Sequence, residues 1–245
     1  GEYLYFVGCT PYFDDFFVDI GVKSLETSRN SIKILNALGI VPAVLKNERC
    51  CGHDLLWTGD VEGFKRLAEH NLAEIEASGA KKVVFSCAEG YRTFKIDIPA
   101  HFGRTKFEVL HISELLARPN GLGKIQSVPK KVTFQDPCRL GRHCGIYDEP
   151  RKAMNLIPDL TLVEMPRSGQ TAICCGTSAW LNCDTNSKRI QKSRLLSSKA
   201  VGADMLITSC PKCYIHFTCA MNDSNFGEEN KIEVKDLTVL IGEAL

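Results

Sequence analysis

The sequence predicts an α/β fold of two pseudo-symmetric repeats, each a small parallel sheet flanked by helices, with metal sites at the carboxyl ends of the strands. Three observations carry that prediction. Strand-length apolar runs alternate with helical stripes, as in a parallel sheet whose neighbouring strands need crossover helices. The cysteines recur in step: Cys9 lies 129 residues before Cys138, Cys51 lies 124 before Cys175, and Cys87 lies 123 before Cys210. That drift is no larger than a loop. Finally, every cysteine group follows a predicted strand, and ligands of such sheets gather beyond the strands' carboxyl ends.

Glu2 to Val7 reads as an apolar strand ending at Gly8-Cys9-Thr10-Pro11. A helix is predicted from Ser24 to Leu38, with Ser24 as its cap, a stripe of Leu25, Ile32, Leu35 and Leu38, and Gly39 as its stop. A strand Ile40–Leu45 runs toward Cys50-Cys51-Gly52. Asp60 caps a second helix carrying Phe64, Leu67, Leu72 and Ile75, and Gly79 closes it. Strand Lys82–Ser86 delivers Cys87. After a segment rich in glycine and proline the pattern restarts: strand Lys131–Gln135, Cys138, helix Glu149–Leu156, strand Thr161–Met165, Cys174-Cys175-Gly176, helix Thr185–Ala200, strand Asp204–Thr208 and Cys210. A last strand and helix fill Ile232–Leu245.

These runs divide the chain into a first half at 1–117, a linker at 118–130 carrying Pro119, Asn120, Gly121, Gly123 and Pro129, and a second half at 131–245. Residues 86–94 (Ser-Cys-Ala-Glu-Gly-Tyr-Arg-Thr-Phe) lie over residues 209–217 (Ser-Cys-Pro-Lys-Cys-Tyr-Ile-His-Phe), sharing Ser, Cys, Tyr and Phe. Gly90 therefore stands where the second half has Cys213.

Lys and Arg number 30 against 29 Asp and Glu, a net charge of +1, which gives no general attraction to nucleic acid or anionic membranes. No run approaches the roughly 18 apolar residues of a membrane span, and no basic flank with an apolar signal core opens the chain. A cytoplasmic location is expected. Twelve cysteines in 245 residues fall below the roughly 8–10% of disulfide scaffolds and favour metal or redox work.

In the second half, 35 residues separate Cys138 from Cys174 and 34 separate Cys175 from Cys210. Adjacent cysteines on a strand point to opposite faces, so a turn must bring both to one metal, and Gly176 supplies the permissive backbone. Cys210-Pro211-Lys212-Cys213 is the usual two-thiolate bite. Five thiolates exceed by one what a tetrahedral zinc or a cubane iron–sulfur cluster uses. Zinc with a spare cysteine and a simple redox dithiol at Cys210/Cys213 are the competing readings.

The pattern Cys, Cys-Cys-Gly, Cys-x-x-Cys resembles the cysteine-rich (CCG) domain family, which includes the B and D subunits of heterodisulfide reductase and iron–sulfur subunits of glycolate, lactate and glycerol-3-phosphate oxidation. Gly8-Cys9-Thr10-Pro11, Cys51-Gly52-His53-Asp54, the run from Asp136 to His143 and Tyr147-Asp148-Glu149-Pro150-Arg151 most resemble the heterodisulfide reductase D-like proteins. The resemblance implies a non-cubane 4Fe-4S cluster on Cys138, Cys174, Cys175, Cys210 and Cys213, tuned by Arg139, His143 and Lys212 unless these are plain solvent-facing charges. In the first half, Cys9, Cys50, Cys51 and Cys87 suffice for a 4Fe-4S cluster or one zinc ion, with an unmetallated site as the third alternative. Where two such clusters face each other, the family cleaves a disulfide between them.

The implied function is an iron–sulfur oxidoreductase subunit that reduces a small disulfide or transfers electrons within a complex. The alternatives are a non-catalytic relay in a flavin-containing dehydrogenase or electron-bifurcating complex, and a zinc-stabilised structural subunit. The ferredoxin cysteine spacing is absent, so electrons are expected from flavin-containing or ferredoxin-type partner subunits. His53 is a candidate to approach a cluster or substrate, with a capping role as the alternative. Cys144, Cys183 and Cys219 are expected to be buried, inert thiols. Tyr12, Phe13, Phe16 and Phe17 are expected either to shield a cluster or to fill the core.

Overall fold

The computed structural model describes residues 1–119, 122–176, 179–180 and 184–245. Asn120 and Gly121 of the predicted linker, and Cys183, lie outside the described residues. The first half runs β1 (Tyr3–Phe6), α1 (Thr10–Phe16), α2 (Leu25–Ala37), α3 (His53–Thr58), α4 (Val61–Ser78), β2 (Lys82–Phe85), α5 (Ala88–Arg92), α6 (Ile98–Phe102), β3 (Glu108–His111) and α7 (Ile112–Leu116). The second runs β4 (Lys131–Gln135), α8 (Gly141–Cys144), α9 (Asp148–Met154), β5 (Thr161–Leu162), α10 (Thr185–Ala200), β6 (Met205–Thr208), α11 (Pro211–Met221), β7 (Glu233–Asp236) and α12 (Leu237–Ala244).

The strands form two parallel sheets, ordered β1-β2-β3 and β5-β4-β6-β7. The predicted strand Ile40–Leu45 contributes a single parallel bridge from Ala43 to Leu4. Pro42 has no N–H to extend that ladder. The bridge sits where β5 stands in the other half, so the sheets match position for position. The predicted strand Thr161–Met165 is likewise trimmed to two residues, after which only Val163 N–H reaches back, to Val132 O at 2.8 Å. In contrast, β3 is too short for its period-2 pattern to stand out in the sequence. The Cys50-Cys51 pair therefore follows no strand among the described residues.

Asp60 caps α4 as predicted, accepting from Gly63 N–H at 2.8 Å, and Gly79 ends it in the left-handed region. Ser24 does not cap α2. Its Oγ donates to the Thr10 carbonyl at 2.7 Å, and Asp14 Oδ1 instead accepts the Leu25 N–H at 2.8 Å. A carboxylate from α1 thus takes the orphan donor and fixes α1 against α2.

Alternation along the strands splits the core. Leu4, Phe6, Val83 and Phe85 face the thiol side, while Tyr5, Val84, Leu110, Val132, Phe134 and Ile207 face a core shared by the two halves. In that shared core α2 packs on α12 and α9 on α7. Each pairs the first long helix of one half with the closing helix of the other, so the two contacts are a pseudo-twofold pair.

Candidate metal centre

Cys9, Cys87 and Cys210 each occupy the residue just before a helix, at the N-termini of α1, α5 and α11. Strands β1, β2 and β6 deliver them there. The Gly90 N–H points to Cys87, and the N–H groups of Lys212 and Cys213 to Cys210. Cys213 lies in the first turn of α11.

The paired cysteines sit on turns closed by glycine. Gly52 has φ +81° and Gly176 φ +95°. A Cβ on Gly52 would lie 2.8 Å from Phe64 of α4, and one on Gly176 would lie 2.9 Å from the Ser187 carbonyl of α10. Both glycines are required twice, by a backbone conformation L-residues avoid and by the close approach of a helix. The turn predicted at Gly176 is present, and Gly52 repeats it.

Buried polar side chains hold these turns. Asn71, fully buried in α4, accepts from Arg49 N–H at 2.9 Å and donates to the Arg49 and Cys50 carbonyls. Glu48 accepts from Val7 and Gly8 N–H, fixing the approach to Cys9; its burial pushes the carboxyl up to about 7. In the second half Gln135 donates to Ile173 O at 2.8 Å and Arg142 to Ala172 O at 2.6 Å. Asp136 takes a two-pronged bond from Arg151 at 2.7 and 3.0 Å and accepts from Gly169 N–H. Sequence reasoning missed Glu48, Asn71 and Gln135. The one available signal was an asparagine set between apolar positions of a helical stripe.

The thiols form one array. Cys9 meets Cys50, which meets Cys51. Cys138 Sγ is 3.9 Å from Cys174 Sγ. Cys174 meets Cys175, Cys175 meets Cys213, and Cys213 meets Cys210. Cys210 also interacts with Cys87 of the first half, so the two thiol groups are neighbours across the pseudo-twofold. Hydrogen bonds from Cys51 and Cys9 bring the Cys50 thiol down to about 3, and those from Cys138 and Cys175 bring Cys174 down to about 2. Cys213 and Cys87 hold Cys210 well below the usual thiol range. No disulfide forms among the described residues. Their hydrogen-bonded neighbours and burial push the other six thiols, Cys9, Cys51, Cys87, Cys138, Cys175 and Cys213, up, and the convergent, all-sulfur donor set fits a soft metal centre. In the first half a cavity of about 30 Å³ is lined by Cys9, Cys50, Cys51, Cys87 and Gly90.

A buried ion network spans the halves beside this array. Lys212 pairs with Asp54 and, at 2.8 Å, with Glu89. Burial opposes the ammonium, yet the Glu89 and Asp54 carboxyls hold it well above the usual lysine range. Burial would raise Asp54, but the His53 hydrogen bond and Lys212 bring it to about 2. Burial prevails at Glu89 and pushes its carboxyl up despite Lys212 and His53. Glu89 is therefore the carboxyl of this network that takes a proton most readily. His53 is buried, with Nδ1 3.0 Å from Asp54 Oδ1 and Nε2 accepting from Arg139 Nε at 3.1 Å. Ligand atoms of His53, Asp54 and Glu89 lie within 4.8 Å of one another, but the lysine ammonium already serves both carboxylates.

Arg139 and Lys212 are 6% and 4% exposed, so the reading of solvent-facing charges fails for both. Arg139 stacks on Trp57 with its guanidinium carbon 3.6 Å from the ring centroid. His143 accepts from Arg92 Nε at 2.8 Å, and burial together with Arg139 and Arg92 lowers it to about 4. Cys144 and Cys219 are half-buried, not buried; burial pushes Cys144 up to about 11, and Cys219 lies 2.8 Å from Lys188 Nζ. Tyr12 and Phe16 are 72% and 80% exposed, so they neither fill the core nor shield the thiols, because α1 lays them along an open groove.

The cysteine-rich domain family, CCG, matches residues 3–95 and 132–218. The chain belongs to this family. It is 34% identical over its whole length to the D subunit of the dihydromethanophenazine:CoB–CoM heterodisulfide reductase of Methanosarcina barkeri, covering 59% of that protein. It is 32% identical over 98% of its length to the probable iron-sulfur-binding oxidoreductase FadF of Bacillus subtilis, covering 33% of it. The chain thus spans about three fifths or less of the curated relatives it matches. A hypothetical protein of Helicobacter pylori shares the fold at TM-score 0.61 and 14% identity, over 90% of this chain and 46% of that one. The CCG repeats and the iron–sulfur relatives support iron–sulfur clusters as cofactors. No helix among the described residues is long and apolar enough to cross a membrane.

Proposed function

We propose that Cys138, Cys174, Cys175, Cys210 and Cys213 hold a non-cubane 4Fe-4S cluster, and that Cys9, Cys50, Cys51 and Cys87 hold a second iron–sulfur cluster lacking a protein ligand at Gly90. The cluster-bearing units are residues 1–117 and 131–245, joined by 118–130. Bound there, the clusters would supply the two electrons that, with two protons, turn a small disulfide into two thiols. The observation that carries this reading is the meeting of Cys87 and Cys210, which makes two sites into neighbours.

The chain's own residues prepare that place. Asn71, Gln135 and Arg142 hold the cysteine turns, so the thiolates are positioned before any cofactor arrives. Lys212 puts a positive charge beside an array that accumulates negative charge, and Glu89, whose carboxyl burial pushes up, lies 2.8 Å from Lys212 Nζ. Electrons would come from a flavin-containing or ferredoxin-type partner subunit.

Iron, zinc and acid-labile sulfide per chain, measured anaerobically with electron paramagnetic resonance, test the reading. Wild type should hold about eight irons, and Cys51→Ser and Cys175→Ser about four each. Gly90→Cys should shift the first site's spectrum; its Cβ would lie 3.2 Å from Phe85, a contact that the ring can relieve. About four irons in wild type and in Cys51→Ser alike would leave a single-cluster relay, and zinc in the first half would make that half structural.

A further inference from the structure

An open groove of about 1080 Å³ lies beside the first-half thiols. Its walls are apolar and aromatic: Phe17 stacks on Trp180 with centroids 5.2 Å apart, Phe13 meets the Trp180 edge at 5.3 Å, and Phe16 forms the exposed rim. Phe13 also lines the small cavity containing Cys9, Cys50, Cys51 and Cys87, so one ring separates groove from thiols. Lys212 Nζ lies over the Trp180 ring, 4.9 Å from its centroid. The volume is that of small-molecule sites, about 300–1,000 Å³.

Tyr12, Asp15, His216 and Cys219 add polar groups to this wall. His216 lines the groove, is 3% exposed, and its Nε2 is buried without a hydrogen-bond partner among the described residues. Burial lowers the imidazole to about 4, so it is neutral at pH 7. An orphaned buried nitrogen costs about 1–3 kcal/mol, which a ligand atom placed there recovers. A neutral imidazole nitrogen can donate to a carbonyl in one tautomer and accept from a hydroxyl in the other.

We propose that this groove binds a flat, apolar ring bearing a carbonyl oxygen, of the quinone type, with the ring among Phe13, Phe17 and Trp180 and the oxygen on His216 Nε2. The ring's reduced, hydroxyl-bearing form keeps the same hydrogen bond by the tautomer change. The proposal concerns binding and stands apart from the cluster assignment.

The test is equilibrium dialysis of the oxidised full chain under argon with duroquinone, a fully substituted quinone that resists thiol addition, and with durene, the same methylated ring without oxygen. Duroquinone should saturate one site and bind at least about fivefold tighter than durene. His216→Leu should abolish that preference, and Phe16→Ser, a change at an exposed rim position, should weaken both ligands severalfold. Equal affinities, no saturable binding, a preference that survives His216→Leu, or an indifferent Phe16→Ser would each overturn the proposal. The two wild-type affinities and Phe16→Ser decide the matter even if the histidine variant fails to fold. Iron content plays no part in the readout.

Discussion

At the scale of single residues, the least replaceable charge is Lys212. Its ammonium is buried between Asp54 and Glu89 of the other half, and removing one partner of a buried ion network leaves the rest uncompensated. Lys212→Met is expected to cost about 3–5 kcal/mol, and Glu89→Gln less, because Lys212 keeps Asp54 as a partner and burial opposes the charged form of Glu89. Thermal unfolding of the two variants checks the order. Asp236 gives a pH signature. It caps α12 through Thr238, but its Oδ2 is buried without a partner among the described residues, and burial pushes the carboxyl up to about 7. A folded value raised above the unfolded 3.9 or so means that the folded state binds the proton more tightly. The associated stability is complete below about pH 4 and is lost as pH rises through about 7, by up to about 4 kcal/mol. The melting temperature of wild type relative to Asp236→Asn should therefore fall between pH 5 and pH 8; parallel profiles would show that Asp236 does not titrate there.

At the scale of elements, the Cys-Cys-Gly turn was legible because its chemistry is local. Two neighbouring cysteines that must face one way demand a turn, and Gly176 and Gly52 both sit at positive φ against a helix. Gly176→Ala should lose the second-half iron, since its Cβ would strike the Ser187 carbonyl. Gly39→Ala, at φ +74° with nothing within 4 Å among the described residues, should cost only the backbone strain of about 1–2 kcal/mol and keep its iron. Iron analysis of the two folded variants separates them. Long helices such as α4 and α10 were equally legible from their caps and stripes. The strand at Ile40–Leu45 was not, because hydropathy cannot register that Pro42 lacks a ladder donor. The Ser24 cap failed for a related reason: an eligible hydroxyl was drawn to the Thr10 carbonyl, a partner 14 residues away.

At the scale of the whole molecule, the halves are held together by helix exchange. Gly242 of α12 lies so close to α2 that a Cβ would meet Asn30 Cβ at 2.7 Å, and Lys33 donates to the Gly242 carbonyl at 2.6 Å. Gly242→Val should overpack that contact, costing about 1–3 kcal/mol and lowering the melting temperature by several degrees. An unchanged melting curve would mean that α2 and α12 do not carry the interface. The sequence by itself determined the repeat, the parallel α/β architecture, the nine cysteines worth watching and the missing thiol at Gly90, since all of these are written in spacing and periodicity along one chain. Only the tertiary structure decided that Cys87 meets Cys210, that Arg139 and Lys212 are buried, that Asn71 and Gln135 hold the turns, and that His216 Nε2 has no partner among the described residues of an aromatic groove. Each of these depends on residues distant in sequence being brought together by a pseudo-twofold packing, and no local pattern encodes which side chains will face one another across it.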